Sequence, residues 1–487
     1  MTRLNHLTLP NARAVRPAYV RRGLATGIVH LGIGAFHRAH QAVYTEQALA
    51  AGDRRWGILG ASLRSPDTRD ALAPQDGLYT LSIRDASGEK LQVIGAITGV
   101  VVATEDPEAL VNAMAHRDIR IVSLTVTEKG YCHDPATGTL VENHPDIVHD
   151  LANLQQPRSA PGFIIAALAL RRTAGLPPFT VLCCDNLPSN GRTVKRVLVR
   201  LARLRDPALG EYLEQHLACP CTMVDRIVPA TQDEDRARIS ETIGLKDAWP
   251  VVTEPFTQWV IEDHFPEGRP DWGLGGAQFV RDVAPYELMK LRLLNGAHSS
   301  IAYLGYLSGC ETVAAAMANP DLVRFVQKLM AEDVTPTLPA PDGANLPAYC
   351  AALVERFRNP ALKHRTWQIA MDGSQKLPQR LLGTIRDRLA AGADISRPAL
   401  GVAAWMAYVR GVDEKGAAID VRDPLAAQLR GIADAAGRDA ARLAQGLVAV
   451  EAIFGTDLPG NTRFVQAVTK SLEGLLAKGA AAVLRGL

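Results

Sequence analysis

The stretch "YELMKLRLLNGAHSS" sets a lysine, an asparagine and a histidine among Leu, Ala and Ile. Read as an α-helix, it puts Glu287 and Lys290 one turn apart, and likewise Asn295 and His298. From Lys290 to His298 the rotation is about 80°, so Lys, Asn and His project into one broad sector. A lysine beside apolar neighbours tends toward a lowered pKa, which suits a general base. An amide can hold a carbonyl or a developing alkoxide, and an imidazole can orient it. An amphipathic surface helix with a solvated polar stripe has the same pattern, and spacing alone admits both.

A second stretch, "GIVHLGIGAFHRAH", is an apolar run that stops at Gly32-Ile33-Gly34 and turns basic. Glycines there permit a tight turn and close approach of backbone to a pyrophosphate at a helix N-terminus. The G-x-G-x-x-G fingerprint is incomplete, because His37 stands where its third glycine belongs. His37, Arg38 and His40 either meet a phosphate or are solvated first-turn side chains. The next strand, "WGILGASL", leads to Arg64-Ser-Pro-Asp67. An acid after the second strand selects NAD through the ribose, but Asp67 lies later than the usual ~20 residues. Arg64 and Arg69 would favour a 2′-phosphate instead. In "VLCCDNLPSNG" a buried strand ends at Asp185-Asn186, which places Asn186 either to bind a ligand or to cap a turn.

The elements that must carry these groups fall into two blocks. Strand candidates Ile28–Leu31, Trp56–Leu63, Ile119–Val126, Phe179–Cys184 and Val251–Val252 alternate with helices at Arg38–Ala51, Pro107–Ala115, Gly162–Ala174 and Gly191–Leu204. Continuously apolar strands in βαβ order predict a doubly wound parallel sheet covered on both faces. From about Pro285 the chain becomes Ala- and Leu-rich at helical spacing. Helices are expected at Leu288–Leu307, Asp321–Glu332, Ala348–Arg358, Lys376–Ala391, Arg397–Arg410 and Arg438–Phe454. Residues 335–343 read as a loop, and Gly411–Gly416 as a turn into a short hairpin. The expected domains are residues 1–284 and 285–487.

The 487 residues carry 53 basic and 51 acidic side chains, a net charge of +2. That balance argues against nucleic acid or an anionic membrane as the partner. Seven cysteines without a C-x-x-C pair read as buried reduced thiols, so no metal site is expected. The N-terminus has no apolar signal core, and the longest apolar run, Phe163–Leu170, is too short to span a bilayer, so a cytoplasmic protein is expected. A helical second half with no evident leftover apolar face fits a monomer or weak dimer.

Together these stretches resemble the mannitol dehydrogenase family of polyol-specific long-chain dehydrogenases, which includes fructuronate reductases. "VHLGIGAFHRAHQAVYT", "IVSLTVTEKGYC", "TMVDRIVP", "EPFTQWVIED", "MKLRLLNGAHS" and "HRTWQIAMDGSQKLPQR" carry the resemblance, from residue 29 to beyond 410. It implies a Rossmann-like NAD-binding domain, a helical substrate-binding domain, and an active site in the cleft between them. Lys290 would be the general acid/base without a metal. Asn186 and Asn295 would hold the reacting oxygen, His298 would position substrate, and Glu287 matches a position linked to proton exchange. Gly32, Ile33, Gly34, Phe36 and Arg38 form the family's cofactor motif, which lacks the third glycine. Asp67 matches the acid tied to NAD preference, with NADP still open, and Asp225 and Lys376 match positions near substrate.

The family divides between sugar acids and neutral polyols. Hexitol-oxidising members tend to carry arginine where this chain has Gln368 and glycine where it has Lys129. The expected reaction is therefore D-mannonate/D-fructuronate interconversion, with hexitol or pentitol oxidation as the alternative. Lys129 and Arg292 are candidate partners for a substrate carboxylate, although Arg292, two residues from Lys290, points to another side of an α-helix. A dinucleotide-binding redox sensor is the non-enzymatic alternative, and the intact Lys290, Asn295 and His298 argue against it.

Overall fold

The computed structural model describes residues 1–487 except 136, 154, 340 and 342. The chain forms two compact units, Met1–Ala284 and Pro285–Leu487. The first is built on five parallel strands, β1 (Thr26–Leu31), β2 (Gly57–Ser62), β3 (Ile97–Val102), β4 (Ile121–Leu124) and β5 (Thr180–Cys183). They lie in the order β3-β2-β1-β4-β5, with every neighbouring pair parallel. The continuous apolar character of these strands follows from burial on both faces. Val29, Leu31, Val122, Leu124, Val181 and Cys183 enter one core, shared with helices Pro107–Ala115, Ala160–Thr173 and Asn190–Arg205. Ile28, Ile121, Leu182 and Cys184 enter the opposite core, with Trp56, Trp259 and Trp272.

Three local features depart from the sequence expectation. The helix expected over Arg38–Ala51 starts earlier and breaks, giving Ala35–Ala39 and Gln41–Ala50 around a non-helical His40 (φ −122°, ψ −92°). Val251–Thr253 joins a separate sheet, pairing in parallel with Tyr79–Asp85, which forms a hairpin with Gly88–Ile94. The edge strand β3 has no counterpart among the expected strands, because Gly99 interrupts its apolar run.

In the second unit, helices Gly296–Leu307 and Ser396–Tyr408 are buried along almost their whole length and pack against each other. Three of the expected helices contain π-helical segments, at Lys290–Asn295, Leu329–Val334 and Pro378–Leu382. The helix Thr462–Lys478, absent from the sequence expectation, packs on Ser396–Tyr408. The loop expected over 335–343 opens with a 3₁₀ turn, Thr335–Thr337, while its residues Ala340 and Asp342 lie outside the described residues. The turn at Gly411–Gly416 ends in an antiparallel bridge between Val412 and Ala418. Among the described residues no helix is long and apolar enough to cross a membrane.

The turn after β1 is the tightest point of the first unit. Gly32 has φ +90°, and a Cβ there would lie 2.2 Å from the Thr125 carbonyl oxygen. Gly32→Ala therefore forces both a left-handed alanine and a steric clash, with an expected destabilisation of about 1–3 kcal/mol. Thermal melting checks this, and an unchanged midpoint would mean that the turn relaxes freely.

Candidate active site

Strand order reverses between β1 and β4, and open α/β sheets bind ligands at the carboxyl ends of the strands flanking that reversal. Here the two loops are stitched together: Thr125 donates its N–H to the Leu31 carbonyl (2.9 Å) and its hydroxyl to the Gly32 carbonyl (2.7 Å). Ile33 is buried, and Gly60 on β2 makes room for it, since a Cβ there would meet Ile33 Cδ1 at 2.1 Å. Gly34 is exposed at the N-cap of Ala35–Ala39, and Phe36 stacks on His40 at 5.0 Å.

The basic residues of this turn do not form a solvated cluster. His37 is fully buried and stacks flat on His30 of β1, with ring centroids 3.4 Å apart. An imidazole thus fills the space that a third glycine would leave empty. His30 bridges Ser123 and Thr125 at 2.8 Å each, and burial pushes its pKa down to about 3. Burial holds His37 well below its ordinary value too, with the nearby His30 adding to the effect. Arg38 corrects the phosphate expectation. It lies on the buried face of its helix, donates to the Trp249 carbonyl (2.5 Å) and sits over the Tyr79 ring.

Asp67 is exposed at the start of helix Asp67–Leu72, directly after β2. Arg69 beside it is engaged with Glu105 (2.7 Å) and Asp70 (2.6 Å). At the end of β5, Asn186 is exposed, and Lys129 is exposed on the 3₁₀ turn Glu128–Tyr131 that follows β4. Asp225 is buried at the end of strand Thr222–Asp225, opposite Gln258.

In the second unit the structure changes the helix that carries the lysine. Lys290–Asn295 is a π-helical turn, closed by the Gly296 N–H donating to the Leu291 carbonyl five residues back. In α geometry Lys290 and Asn295 would stand about 140° apart. A π turn holds roughly one residue more, so residues five apart fall on one face. Asn295 and His298 are then one α turn apart in Gly296–Leu307. The wide turn therefore gathers Lys290, Asn295 and His298 more tightly than the expected α-helix does. Lys290 and His298 are 8% and 7% exposed, which removes the reading as a solvated stripe. Glu287 is half-buried on the preceding turn, Ala284–Met289.

His298 stacks on Phe357 (5.2 Å) and meets His364 edge-on (5.0 Å). Burial, then the neighbouring His364, Arg380, Arg356 and Lys376, holds its pKa well below the usual value, so the ring is neutral. Lys376 donates to the Met371 and Ile369 carbonyls (2.5 and 3.2 Å), and Arg380 donates to the Ser299 hydroxyl (3.1 Å). Arg292 is committed elsewhere: it pairs with Asp387 (2.5 Å) and donates to the Thr337 hydroxyl (2.9 Å). Its expected contact with a substrate carboxylate would require breaking that pair.

Sequence reading gave no role to Arg356, His364 or Arg380, which lie far from the lysine helix in the chain and show no shared spacing with it. It also expected no metal site. Ligand atoms of Cys132, His144 and Asp146 nevertheless come within 4.8 Å of one another. His144 Nδ1 there accepts the Asp146 N–H (3.2 Å) as a helix cap.

The family model described as the mannitol dehydrogenase Rossmann domain matches residues 26–274, and that of the mannitol dehydrogenase C-terminal domain matches 282–476. The chain is 49% identical to D-mannonate oxidoreductase of Escherichia coli (strain K12), over 96% of this chain and 97% of that one. It is 41% identical to mannitol 2-dehydrogenase of Pyricularia oryzae, over 96% and 94% of the two chains. Its fold is similar to the Pseudomonas fluorescens mannitol 2-dehydrogenase solved as a ternary complex with NAD and D-mannitol. That match has a TM-score of 0.91 at 41% identity and covers 100% of this chain and 99% of that one.

The buried neutral histidines make the fold acid-sensitive. An unfolded histidine titrates near 6.5, whereas burial takes His364 down to about 4 and His30 to about 3. Both folded-state values are depressed, so their stabilisation is complete above about pH 6.5 and is lost as pH falls through the folded values. The expected result is a falling melting temperature between about pH 6.5 and 4, and a shallower fall in His364→Asn. The His364 share is about 3 kcal/mol once the window is crossed. A pH-independent melt in that window would contradict the assignment.

Proposed function

The chain belongs to the mannitol dehydrogenase family and is an oxidoreductase; from that premise we propose that it interconverts a secondary alcohol and a ketone on an open-chain sugar acid, with NAD as cofactor. The observation that carries the chemistry is the π turn that sets a buried lysine, an amide and a neutral imidazole on one helix face.

Lys290 takes the hydroxyl proton in alcohol oxidation and returns it in ketone reduction. Asn295 and Asn186 donate N–H to the reacting oxygen, stabilising the charge that develops there. His298, held neutral and fixed by Phe357, donates or accepts at a neighbouring substrate hydroxyl. Glu287 passes the lysine's proton toward solvent. Asp225 and Lys376 are assigned to positions near the substrate.

NAD, when bound, supplies the hydride acceptor. The residues present suit it: a glycine turn at the reversal of strand order, and an exposed acid at the start of the helix that follows β2 for the ribose hydroxyls. The engagement of Arg69 with Glu105 and Asp70 supports NAD over NADP.

A carboxylate-bearing substrate is favoured by the cations around His298, namely Arg356, Lys376 and Arg380, and by the 49% identity to a protein named D-mannonate oxidoreductase. Guanidinium groups take carboxylates in paired hydrogen bonds. Lys129 is a further candidate for that charge. The 41% identities to mannitol 2-dehydrogenases favour the second reading, a neutral hexitol and its ketose.

Lys290→Ala is expected to lower turnover by about 10²-fold or more while NADH affinity stays within about twofold. Stopped-flow turnover and fluorescence titration check this, and a small effect on turnover would remove the lysine from the reaction. With NADH and NADPH run in parallel, D-fructuronate should be reduced in preference to D-fructose, with NADH as donor. Preference for fructose would make the neutral polyol the substrate.

A further inference from the structure

Asp185 closes β5 immediately before Asn186, and both its main chain and its side chain are tied down. Its Oδ2 accepts the Val126 N–H (2.8 Å) and the Tyr131 hydroxyl (2.6 Å), and its Oδ1 accepts the Thr127 N–H (3.3 Å). Its carbonyl accepts from Asn190 Nδ2 (3.1 Å) and from the Leu187 N–H (3.0 Å). Asn190 is itself buried and also donates to the Cys183 and Thr222 carbonyls, while its Oδ1 accepts the Gly191 and Thr222 N–H groups. The end of β5 is thus riveted from below by an amide and from the side by a carboxylate.

The segment that Asp185 grips is strained. Thr127 (φ +66°) and Cys132 (φ +51°) bracket the Glu128–Tyr131 turn in the left-handed region, which β-branched residues rarely enter. Such conformations persist where their surroundings over-determine them, and the bonds from Val126 and Thr127 to Asp185 do this. Three donors converge on one side chain, and a carboxylate offers two acceptor oxygens where an amide offers one. Burial pushes the Asp185 pKa up to about 6 and the charge on Glu128 adds to this, while the hydrogen bonds work against the rise.

We infer that Asp185 is a positioning residue that acts through Asn186: by joining the end of β5 to the Val126–Tyr131 segment, it fixes where the Asn186 amide meets the reacting oxygen. This rests on the reading of Asn186 given under the proposed function. The amide directly follows the anchored Cα, so freedom gained at Asp185 passes to Asn186 without attenuation. A loss of about 1 Å in placement is enough to cost about 10²-fold in rate.

The test is a double-mutant cycle in the full-length enzyme with Asp185→Ala, Asn186→Ala and the double variant, alongside Asp185→Asn. Turnover, KM and NADH affinity are read for each. Asn186→Ala is expected to lower kcat by about 10²-fold, as for loss of an oxyanion donor, and Asp185→Ala by about 10- to 100-fold. The double variant should be no slower than Asn186→Ala alone, because the second change then has nothing to misplace. NADH affinity should stay within about twofold throughout. Asp185→Asn, which can keep the Val126 and Tyr131 bonds on one oxygen, should recover most of the lost kcat.

Multiplicative effects in the cycle would overturn the proposal, as would a loss of NADH affinity that matches the loss of turnover. Should Asp185→Ala not fold, the cycle is run with Tyr131→Phe, which removes one of the three donors to the carboxylate: an unchanged kcat overturns the role, and so does a loss of kcat that persists undiminished in the Asn186→Ala background. Full turnover in Asn186→Ala would overturn the active-site reading, and the positioning role with it.

Discussion

One helical turn of unusual pitch decides which polar side chains of the second unit share a face. Hydrogen bonding to the fifth residue back, instead of the fourth, widens the Lys290–Asn295 turn and re-phases everything after it. The cost is poorer backbone geometry, and tertiary contact offsets it. Gly296, the first residue beyond the wide turn, lets the helix close on the Pro378–Leu382 segment, where a Cβ would stand 2.6 Å from the Arg380 carbonyl oxygen. That segment is itself π-helical, so two wide turns pack together beside the polar face. Arg380 then reaches the hydroxyl of Ser299, next to His298. The backbone irregularity, the glycine and the basic neighbours form one arrangement.

The first unit relies on the opposite device, a regular sheet with polar groups buried beneath its glycine turn. The His30–His37 stack and the Gln41–Ser123–His30–Thr125 chain of hydrogen bonds fix the turn at Gly32 from below. Keeping these histidines neutral avoids placing like charges in contact beneath the loop, and it ties the integrity of the turn to solution pH.

Much of this was legible in the sequence, for identifiable reasons. β1, β2, β4 and β5 are continuously apolar, so their periodicity exposes a doubly covered sheet, and the glycine turn falls directly after β1 as the motif suggests. Lys290, Asn295 and His298 stood out because polar groups are conspicuous in an apolar helix. The π turn was not legible, since Lys-Leu-Arg-Leu-Leu-Asn has ordinary α propensity and only packing against a distant segment widens it. Arg38 and Arg292 misled for a related reason: residue type suggests an anion, whereas the helix face on which each falls sends it to Trp249 and Asp387. Asp185 was overlooked because its partners lie more than fifty residues away, beyond any local pattern.

The wide turn also bears on how this helix can vary in length. A π turn contains one residue more than the α turn it replaces, so removing Leu291, Arg292, Leu293 or Leu294 would allow the turn to become regular α-helix. That deletion would leave Asn295 four and His298 seven residues from Lys290, about 40° and 20° away around an α-helix, and the polar face would persist. Regularising the turn at its present length would instead swing Asn295 about 140° from Lys290. Residue count and pitch are therefore fixed together in this stretch: the extra residue is harmless to the face only because the turn is wide.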